Sequence, residues 1–347
     1  MMHYLYEFIK IYVDAAVRFY FNKIKVVGKD KLKNGGPFLF VSNHQNAFMD
    51  GLLIVMVNSF PVHFLIRADI FKKPLAAAIL RFMKLMPVYR IRDGFGSLTK
   101  NHEQFDECTK LFLKKESVLI FPEGNHGDSR RLRPLSKGFT RIVFEAERQH
   151  PEMKLQVVPV GINYSQHHAF NTRVSIYYGD PIPVKDFFKH PITVQSTLFK
   201  DKVAEEIKKL IAHIDDEDRY QEILNKLNAT NPDFFDPHDT NVRIQKIANG
   251  EIVQPTERKT PLLYKVFSVF KPLCWLINYP AEMGWRKFER RIKDPVFITS
   301  LKFGYGLAIV QAYYLIIVSV TSVWLGWWSL AIYPFLLGSL KVMRKPV

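Results

Sequence analysis

The chain has 347 residues, which allows one large domain with an appendage or two domains, with a sizeable core. Its 49 Lys and Arg residues against 33 Asp and Glu residues give a net charge of +16, which suits nucleic acid, an anionic membrane surface or phosphorylated small molecules. An aromatic content of 14%, with 28 Phe, favours the membrane over nucleic acid, and two cysteines exclude a disulfide framework.

Residues 1–21 predict an amphipathic N-terminal helix, because apolar residues recur there at near-helical spacing among charged ones. From there to residue 214, short apolar strands alternate with helical segments. The alternation predicts an α/β domain at 22–214, with a mixed, largely parallel sheet flanked by helices. Functional loops are expected at the strand ends of such a sheet.

The rest of the chain changes twice in composition. Residues 215–260 are polar and contain Asn-Pro, Asp-Pro and Gln-Pro pairs, which indicates a linker or a peripheral helical insert. Residues 261–347 predict a membrane-associated region, within which 303–340 carry no charge. Because a single span needs about 20 residues, 303–340 predicts a hydrophobic membrane hairpin. One long tilted helix or a buried core helix is the alternative.

Residues 43–50 read NHQNAFMD and follow a predicted strand. A histidine with a nearby carboxylate can make a hydroxyl nucleophilic. On one continuous helix Asp50 would lie about 240° further round than His44 and roughly 9 Å along the axis, so the side chains would not meet. Contact requires His44 in the loop and Asp50 at the mouth of the next helix. The alternatives are an Asn-His turn and an ordinary Asp helix cap.

Residues 121–124 read FPEG and follow a compact apolar strand. Glu123 is then presented at the sheet edge, where it can accept a hydrogen bond from a substrate hydroxyl, and Gly124 lets the backbone approach closely. A Pro-Glu-Gly turn is the alternative. Basic residues that could bind phosphate or face anionic lipid crowd the next stretch: Arg130, Arg131, Arg133, Lys137 and Arg141.

Between the two motifs, Arg90 lies at or just past a predicted strand end, with Arg92 beyond it. A guanidinium there can clamp a phosphate with two hydrogen bonds. A surface arginine at a strand end is the alternative.

Together these motifs resemble the glycerol-phosphate/lysophosphatidate acyltransferase family. Residues 43–50, 87–90, 121–124 and 157–161 look like its four blocks, in the same order, over about residues 25–185. Five residues lie between His44 and Asp50, where the common form has four. That spacing is similar to the fungal-type glycerol-3-phosphate/dihydroxyacetone-phosphate acyltransferases, as is the later run PLSKG.

The resemblance implies that His44 is the general base and that Asp50 orients it. His44 would take a proton from a glycerol hydroxyl as that hydroxyl attacks a fatty-acyl thioester, and would return the proton to the leaving thiolate. Six further residues are implied to contact the substrates: Arg90, Lys137 and, more weakly, Arg92 at the phosphate, Glu123 and Gly124 at the glycerol, and Pro159 on the acyl-donor side.

The implied activity is membrane-bound O-acyl transfer in phospholipid biosynthesis, from coenzyme A or acyl-carrier protein to glycerol 3-phosphate or 1-acyl-glycerol 3-phosphate. Anionic membrane lipid is an expected partner, and nucleic acid is not. The sequence has no metal-ligand spacing and no Gly-rich nucleotide fingerprint, so no metal or cofactor is expected. Two alternatives stay open: a different lyso-lipid acceptor, or a non-catalytic scaffold that binds anionic lipid.

Lys and Arg residues flank the uncharged run on both sides. This favours a hairpin with both ends in the cytoplasm. The sequence therefore predicts an integral or tightly associated membrane protein whose catalytic domain lies on the cytoplasmic face.

Overall fold

The computed structural model describes residues 2–32, 36–89, 97–257 and 262–344. In these ranges one eight-stranded sheet lies between layers of helices. Its strands are β1 (Lys23–Val27), β2 (Phe38–Ser42), β3 (Val62–Arg67), β4 (Leu85–Val88), β5 (Ser117–Ile120), β6 (Gln156–Tyr164), β7 (Arg173–Tyr178) and β8 (Ile182–Pro183).

Most helices of the first 250 residues cover this sheet, and α7 and α8 come after its last strand in the chain. They are α1 (Met2–Tyr20), α2 (Ala47–Val57), α3 (Pro74–Phe82), α4 (Ser97–Leu113), α5 (Gly138–Gln149), α6 (Ile192–Leu210), α7 (Tyr220–Ala229) and α8 (Pro237–Ala248). The C-terminal helices are α9 (Leu262–Phe267), α10 (Lys271–Glu289), α11 (Ile298–Tyr305), α12 (Gln311–Leu325) and α13 (Ile332–Met343).

The strand order is β1-β7-β6-β2-β5-β3-β4, with β8 beside β6. Strand β6 pairs antiparallel with β7 and β8, and the other neighbours are parallel. The mixed, largely parallel sheet predicted from the sequence is thus confirmed. Because β2, β5 and β6 run in the same direction, their carboxyl ends meet at one edge of the sheet.

The sheet is covered on both faces, as the side chains of β2 show. Leu39 and Val41 belong to one apolar cluster, together with residues of α4, α5 and α6. Phe38 and Phe40 belong to the cluster on the opposite face, together with residues of α1 and α2. A strand whose two alternating sets of side chains are both buried reads as a continuous apolar run.

The polar stretch 215–260 carries α7 and α8, which enclose a small apolar cluster of their own. This cluster includes Ile223, Leu227 and Ile244. An ion pair of 2.7 Å between Arg173 Nη2 in β7 and Asp233 Oδ1 joins the two helices to the sheet. The boundaries of a separate insert stay a prediction.

The N-terminal helix is present as α1, and it packs against the C-terminal helices. The Tyr12 hydroxyl donates to the Leu307 carbonyl oxygen at 3.1 Å. The rings of Tyr20 and Phe303 meet edge to face at 5.6 Å. The two ends of the chain therefore form one layer beside the sheet.

One helical stretch in the described part of the chain, Pro295–Met343, is long and apolar enough to cross a membrane. It is interrupted at Gly326, whose φ of +55° ends α12. Beyond that point Tyr333 donates to Gln311 Oε1, and α13 packs on α12 and α10. The chain therefore folds back on itself after Gly326, and passage through a membrane stays a prediction.

Candidate active site

His44 follows β2 directly, and the side chain of Asn43 fixes the point at which it leaves the sheet. The Asn43 amide nitrogen donates to the Ile162 carbonyl at 3.0 Å, and its oxygen accepts from the Ile162 N–H at 2.8 Å. Buried Asn43 thus extends the β2–β6 ladder with its side chain. His44 is the first residue beyond this anchor.

The His44 and Asp50 side chains meet, with 2.9 Å between Nδ1 and Oδ2. The chain turns between them, and α2 begins at Ala47, so Asp50 lies within the first helical turn and not before the helix. Asp50 is fully buried, whereas 15% of the His44 side chain is exposed. With Nδ1 bound to the carboxylate, Nε2 is the nitrogen left for a substrate.

Asp50 accepts three more hydrogen bonds, which fix its orientation. The backbone N–H groups of Gln45 and Asn46 donate to Oδ2 at 2.7 Å each. The Tyr164 hydroxyl donates to Oδ1 at 2.6 Å. Burial and the Asp50 charge hold the pKa of Tyr164 well above its ordinary value, so the hydroxyl remains a donor. A buried carboxylate is stable only with such partners.

Two aromatic rings flank the His44 imidazole. The Phe121 ring stacks on it at a centroid distance of 4.1 Å. The His126 ring lies edge-on at 5.5 Å, and its far side contacts the Phe297 ring at 4.8 Å. Burial, followed by the neighbouring charge of His44, lowers the pKa of His126. His126 therefore presents a largely neutral imidazole beside His44 at neutral pH.

Glu123 and Arg133 join the second motif to the first. Arg133 Nε donates to Glu123 Oε2 at 2.5 Å, and Arg133 Nη2 donates to the His44 carbonyl at 3.1 Å. The His44 N–H lies 3.4 Å from Glu123 Oε1. Burial raises the pKa of the Glu123 carboxyl to about 7, although Arg133 acts in the opposite direction. Gly124 has a φ of +74°, which a residue without a Cβ adopts without strain.

Two other basic residues of this loop are engaged in packing. The Arg130 guanidinium is buried and lies 3.8 Å above the centre of the Phe234 ring. Arg131 forms an ion pair of 2.9 Å with Glu217. Like Arg133, they attach the loop to the rest of the protein.

Lys137 and Arg141 are exposed at the N-terminus of α5. Neither side chain forms an ion pair or a hydrogen bond with the residues that the structure describes. The Ser136 N–H donates to the Pro122 carbonyl at 2.8 Å, which holds this helix end against the Glu123 loop. A helix N-terminus favours anions, so the two cations add to an existing positive end.

The remaining substrate residues implied by the resemblance are Pro159, Arg90 and Arg92. Pro159 is buried in β6 opposite Val41, and its carbonyl accepts from the Gly179 N–H at 2.8 Å. Pro159 therefore lies inside the sheet, beside the end of β2 that leads into the His44 loop. Strand β4 ends at Val88, and Arg90 and Arg92 lie outside the described residues.

The C-terminal region also contacts the first motif. The Thr299 hydroxyl donates to Asn46 Oδ1 at 2.9 Å. The Ser300 hydroxyl donates to the Asn46 carbonyl at 3.3 Å and accepts from the Met49 N–H at 3.2 Å. The sequence analysis missed these contacts, and only the polar pair at 299–300 ahead of the apolar run could have signalled them.

In the described part of the chain, no three His, Cys, Asp or Glu side chains are grouped so that they could hold a metal ion. The polar groups that the structure brings together near the carboxyl ends of β2 and β5 are His44, Asp50 and Glu123, and the N-terminus of α5 lies against the same loop.

Comparison with known proteins identifies the region that contains both motifs. Residues 23–163 match the Acyltransferase family model. We call this matched part of the chain, residues 23–163, the acyltransferase domain. The acyltransferase domain begins at β1 and ends within β6, so it includes both His44 and Glu123.

Two curated proteins are similar to the acyltransferase domain and its surroundings. Glycerol-3-phosphate O-acyltransferase 2 of Saccharomyces cerevisiae is 29% identical over 205 residues, which is 59% of this chain and 23% of that protein. Lyso-ornithine lipid O-acyltransferase of Brucella abortus is 26% identical over 147 residues, 42% of this chain and 51% of that protein. The chain thus matches only part of the length of each.

Among solved structures, the 1-acyl-sn-glycerophosphate (LPA) acyltransferase PlsC of Thermotoga maritima is similar. Its sequence is 18% identical, and the alignment covers 60% of this chain and 80% of that chain with a TM-score of 0.44.

Proposed function

We propose that the chain transfers a fatty acyl group from a thioester to a hydroxyl of glycerol 3-phosphate or 1-acyl-glycerol 3-phosphate, with His44 as the general base. The observation that carries this proposal is the hydrogen bond of 2.9 Å between His44 Nδ1 and the Asp50 carboxylate. Three other donors hold that carboxylate in place. This arrangement leaves Nε2 basic and partly exposed beside the Glu123 loop.

The proton movement follows from this geometry. His44 Nε2 takes the proton of the acceptor hydroxyl while the hydroxyl oxygen attacks the thioester carbonyl. Asp50 stabilises the imidazolium that forms. When the tetrahedral intermediate collapses, the C–O bond remains, the C–S bond breaks, and His44 returns the proton to the departing sulfur. General acid–base catalysis of this kind contributes about 10²–10⁴ in rate.

The acceptor phosphate is assigned to the N-terminus of α5. Lys137 is the N-cap residue of this helix and Arg141 lies in its first turn, four residues later, so both are on the same side of the helix end, and neither is neutralised by a described residue. We assign Glu123, which Arg133 holds next to His44, as the residue that positions the glycerol. Gly124 leaves room, since a β-carbon there would meet no atom within 4 Å. Arg90 and Arg92 remain further phosphate candidates, and Pro159 a candidate on the acyl-donor side.

We propose two classes of acceptor, because the relatives are named for different acceptors. The fungal relative is named for glycerol 3-phosphate, which favours the first acylation of the glycerol backbone. The bacterial relative is named for a lyso-ornithine lipid, which supports an acceptor with a different head group. The donor is a fatty-acyl thioester of coenzyme A or of acyl-carrier protein.

Membrane association is part of the proposal. Two features support it: the stretch Pro295–Met343 and the exposed apolar side chains of α1 and α12. Contiguous apolar side chains on a protein surface mark a site of interaction with a membrane or another protein. Basic residues flank the apolar run on both sides, which supports a catalytic domain on the cytoplasmic face near anionic lipid.

The first test is acyl transfer from palmitoyl-coenzyme A and from palmitoyl-acyl-carrier protein by membranes that contain the wild-type chain or His44→Ala. Glycerol 3-phosphate, 1-acyl-glycerol 3-phosphate and a lyso-ornithine lipid are offered separately. We expect His44→Ala to lower kcat by about 10²–10⁴. His150→Ala is the control, since His150 pairs with Glu152 at the far end of α5. No His44-dependent product from any acceptor would favour the scaffold alternative.

The phosphate assignment has its own test. We expect Lys137→Ala and Arg141→Ala to raise KM for the phosphorylated acceptor about tenfold each and to leave KM for the acyl donor unchanged. Lys114→Ala is the control, because Lys114 precedes β5 and so lies at the opposite edge of the sheet. An unchanged acceptor KM in both variants would place the phosphate elsewhere.

A further inference from the structure

A cavity lies outside the acyltransferase domain, between α1, α10, α11 and α13. Its volume is about 120 Å³. No residue of the two motifs lines it. Most of its wall is apolar, and includes Phe19, Tyr20, Phe170, Phe303 and Leu307.

Three charged side chains line this cavity, and two of them form an ion pair. Arg344 Nη2 is paired with Glu282 Oε1 at 2.9 Å. The third, Lys302, forms no ion pair or hydrogen bond with the described residues, and its ammonium lies 5.5 Å from the centre of the Trp285 ring. The lining therefore carries one positive charge in excess, at Lys302.

An ammonium in an apolar wall without a counter-ion is unfavourable, because burial removes hydration that no partner replaces. A ligand with one anionic group beside Lys302 would supply the counter-ion. An alkyl chain on the same ligand would cover the aromatic and aliphatic wall and remove its own apolar surface from water. Its volume of about 120 Å³ holds part of one alkyl chain and does not hold two.

We propose that this cavity binds a single-chain amphiphile with an anionic head group, either phosphate or carboxylate. The head group lies beside Lys302, and the chain lies along the apolar wall toward Leu307. This site is distinct from the assigned acceptor site at Lys137 and Arg141, and the proposal does not depend on the proposed catalytic function.

The same helix joins the cavity to the first motif. Thr299, which donates to Asn46, and Lys302, which lines the cavity, are one turn apart on α11. An occupant of the cavity would stabilise the packing of α11 against α1 and α10. It would thereby support the contacts that α11 makes with the His44 loop.

Two substitutions test the site, each with a matched control. Lys302→Met removes the charge and keeps an apolar stem, and Lys293→Met makes the same change at an exposed lysine outside the cavity. Gly306→Leu fills the cavity, since a β-carbon at Gly306 would meet no atom within 4 Å. Gly304→Leu adds the same side chain two residues earlier, within α11, also into open space, at a residue that does not line the cavity.

The measurement is saturation binding of radiolabelled lipid to the full-length chain in micelles of a neutral detergent, without an acyl donor. The probes are 1-oleoyl-lysophosphatidate, oleate, 1-oleoyl-lysophosphatidylcholine and glycerol 3-phosphate. We expect saturable binding of the two anionic amphiphiles, at least tenfold weaker binding of the zwitterion, and no binding of glycerol 3-phosphate that depends on Lys302. The tighter of the two anions identifies the head group as phosphate or carboxylate.

We expect Lys302→Met and Gly306→Leu each to weaken this binding at least tenfold, Lys302→Arg to restore it, and both control variants to stay within twofold of the wild type. Equal uptake by all variants would mean partition into the micelle only and would overturn the proposal. Equal affinity for the zwitterion would overturn it as well. Loss of acyl transfer in His44→Ala bears only on the proposed function, because this assay contains no donor.

Discussion

Four donors converge on the Asp50 carboxylate: the His44 imidazole, two backbone N–H groups and the Tyr164 hydroxyl. Both oxygens are used, so the carboxylate cannot rotate without losing hydrogen bonds in a dry environment. Each such loss leaves a buried donor unpaired, at about 1–3 kcal/mol. The direction of the His44 ring is therefore set by the residues around Asp50.

Asp50→Asn should lower kcat about 10²–10⁴-fold. The NH₂ group of the asparagine amide is a donor, and it would face the donors that bind the carboxylate in the wild type. The negative charge that stabilises the imidazolium would also be lost. Tyr164→Phe is the matched control: it removes one hydrogen bond and keeps the carboxylate, and we expect a loss of about tenfold or less. Steady-state kinetics on membranes measures both. An Asp50→Asn enzyme within threefold of the wild type would contradict the assignment.

Glu123 gives the stability a pH dependence of known sign. Burial raises its pKa from 4.5 to about 7 in the folded chain. Between these values the folded chain binds more protons than the unfolded chain, so the free energy of unfolding decreases as the pH rises. We expect the wild type to lose about 2–4 kcal/mol relative to Glu123→Gln between pH 4.5 and pH 8.

Thermal unfolding in detergent across this pH range measures the effect. Glu251→Gln, at an exposed carboxylate, should reproduce the wild-type pH profile. Parallel profiles for the wild type and Glu123→Gln would show that the Arg133 guanidinium keeps Glu123 ionised throughout.

At this scale, the part of the site that is local in sequence could be predicted. The strand, loop and helix predicted around 43–50 permit the His44–Asp50 contact, which the structure contains. Tyr164 could not be predicted as the third partner of Asp50, because its position depends on β6 lying beside β2, and local patterns do not specify that neighbour. The same holds for Arg133, which stands among basic residues that look alike in sequence.

At the scale of elements, β6 and α6 approach more closely than side chains normally allow. A β-carbon at Gly161 would lie 2.3 Å from the Leu210 carbonyl oxygen. The end of a flexible side chain could move away from such a contact, but the Leu210 backbone cannot move without shifting α6. The valine-rich run around Gly161 is thus tied to the end of α6.

Gly161→Ala should destabilise the chain by about 1–3 kcal/mol or more and lower its Tm by several degrees. Gly138→Ala is the control, since its nearest neighbour would be Ser136 Oγ at an ordinary 3.8 Å and alanine favours the helix. Differential scanning fluorimetry compares the two. Equal Tm values would show that β6 and α6 can move apart without cost.

Element boundaries were predicted less well than element types. The apolar spacing predicts a helix over 203–214, whereas α6 begins at Ile192. Pro280 lies inside α10, which continues past it to Glu289. The packing of Ala281 against α12 and α13 explains why α10 continues, since tertiary contacts outweigh the bond that proline removes.

At the scale of the whole molecule, the exposed apolar side chains are concentrated on α1 and on the C-terminal helices. Val323 is 78% exposed and Trp327 75%. A surface of this composition is stable when lipid covers it, and each aspartate in such a layer costs about 3 kcal/mol.

On the proposed membrane association, the double substitution Val323→Asp and Trp327→Asp should move the chain from the membrane fraction to the soluble fraction. Ile252→Asp is the control, because Ile252 is 90% exposed after α8, outside the C-terminal helices. Ultracentrifugation and immunoblotting measure the distribution. A double variant that stays in the membrane would assign the attachment to α1 or α10.

The position of α11 has a consequence for the order in which the protein becomes active during its synthesis. His44 and Asp50 leave the ribosome early, but Thr299 and Ser300, which bind the loop between them, are made some 250 residues later. A nascent chain that ends before residue 298 carries both residues of the pair in a loop without these partners. We expect such ribosome-bound chains to be silent, and acyl transfer to begin only after the last helices have been released and folded back.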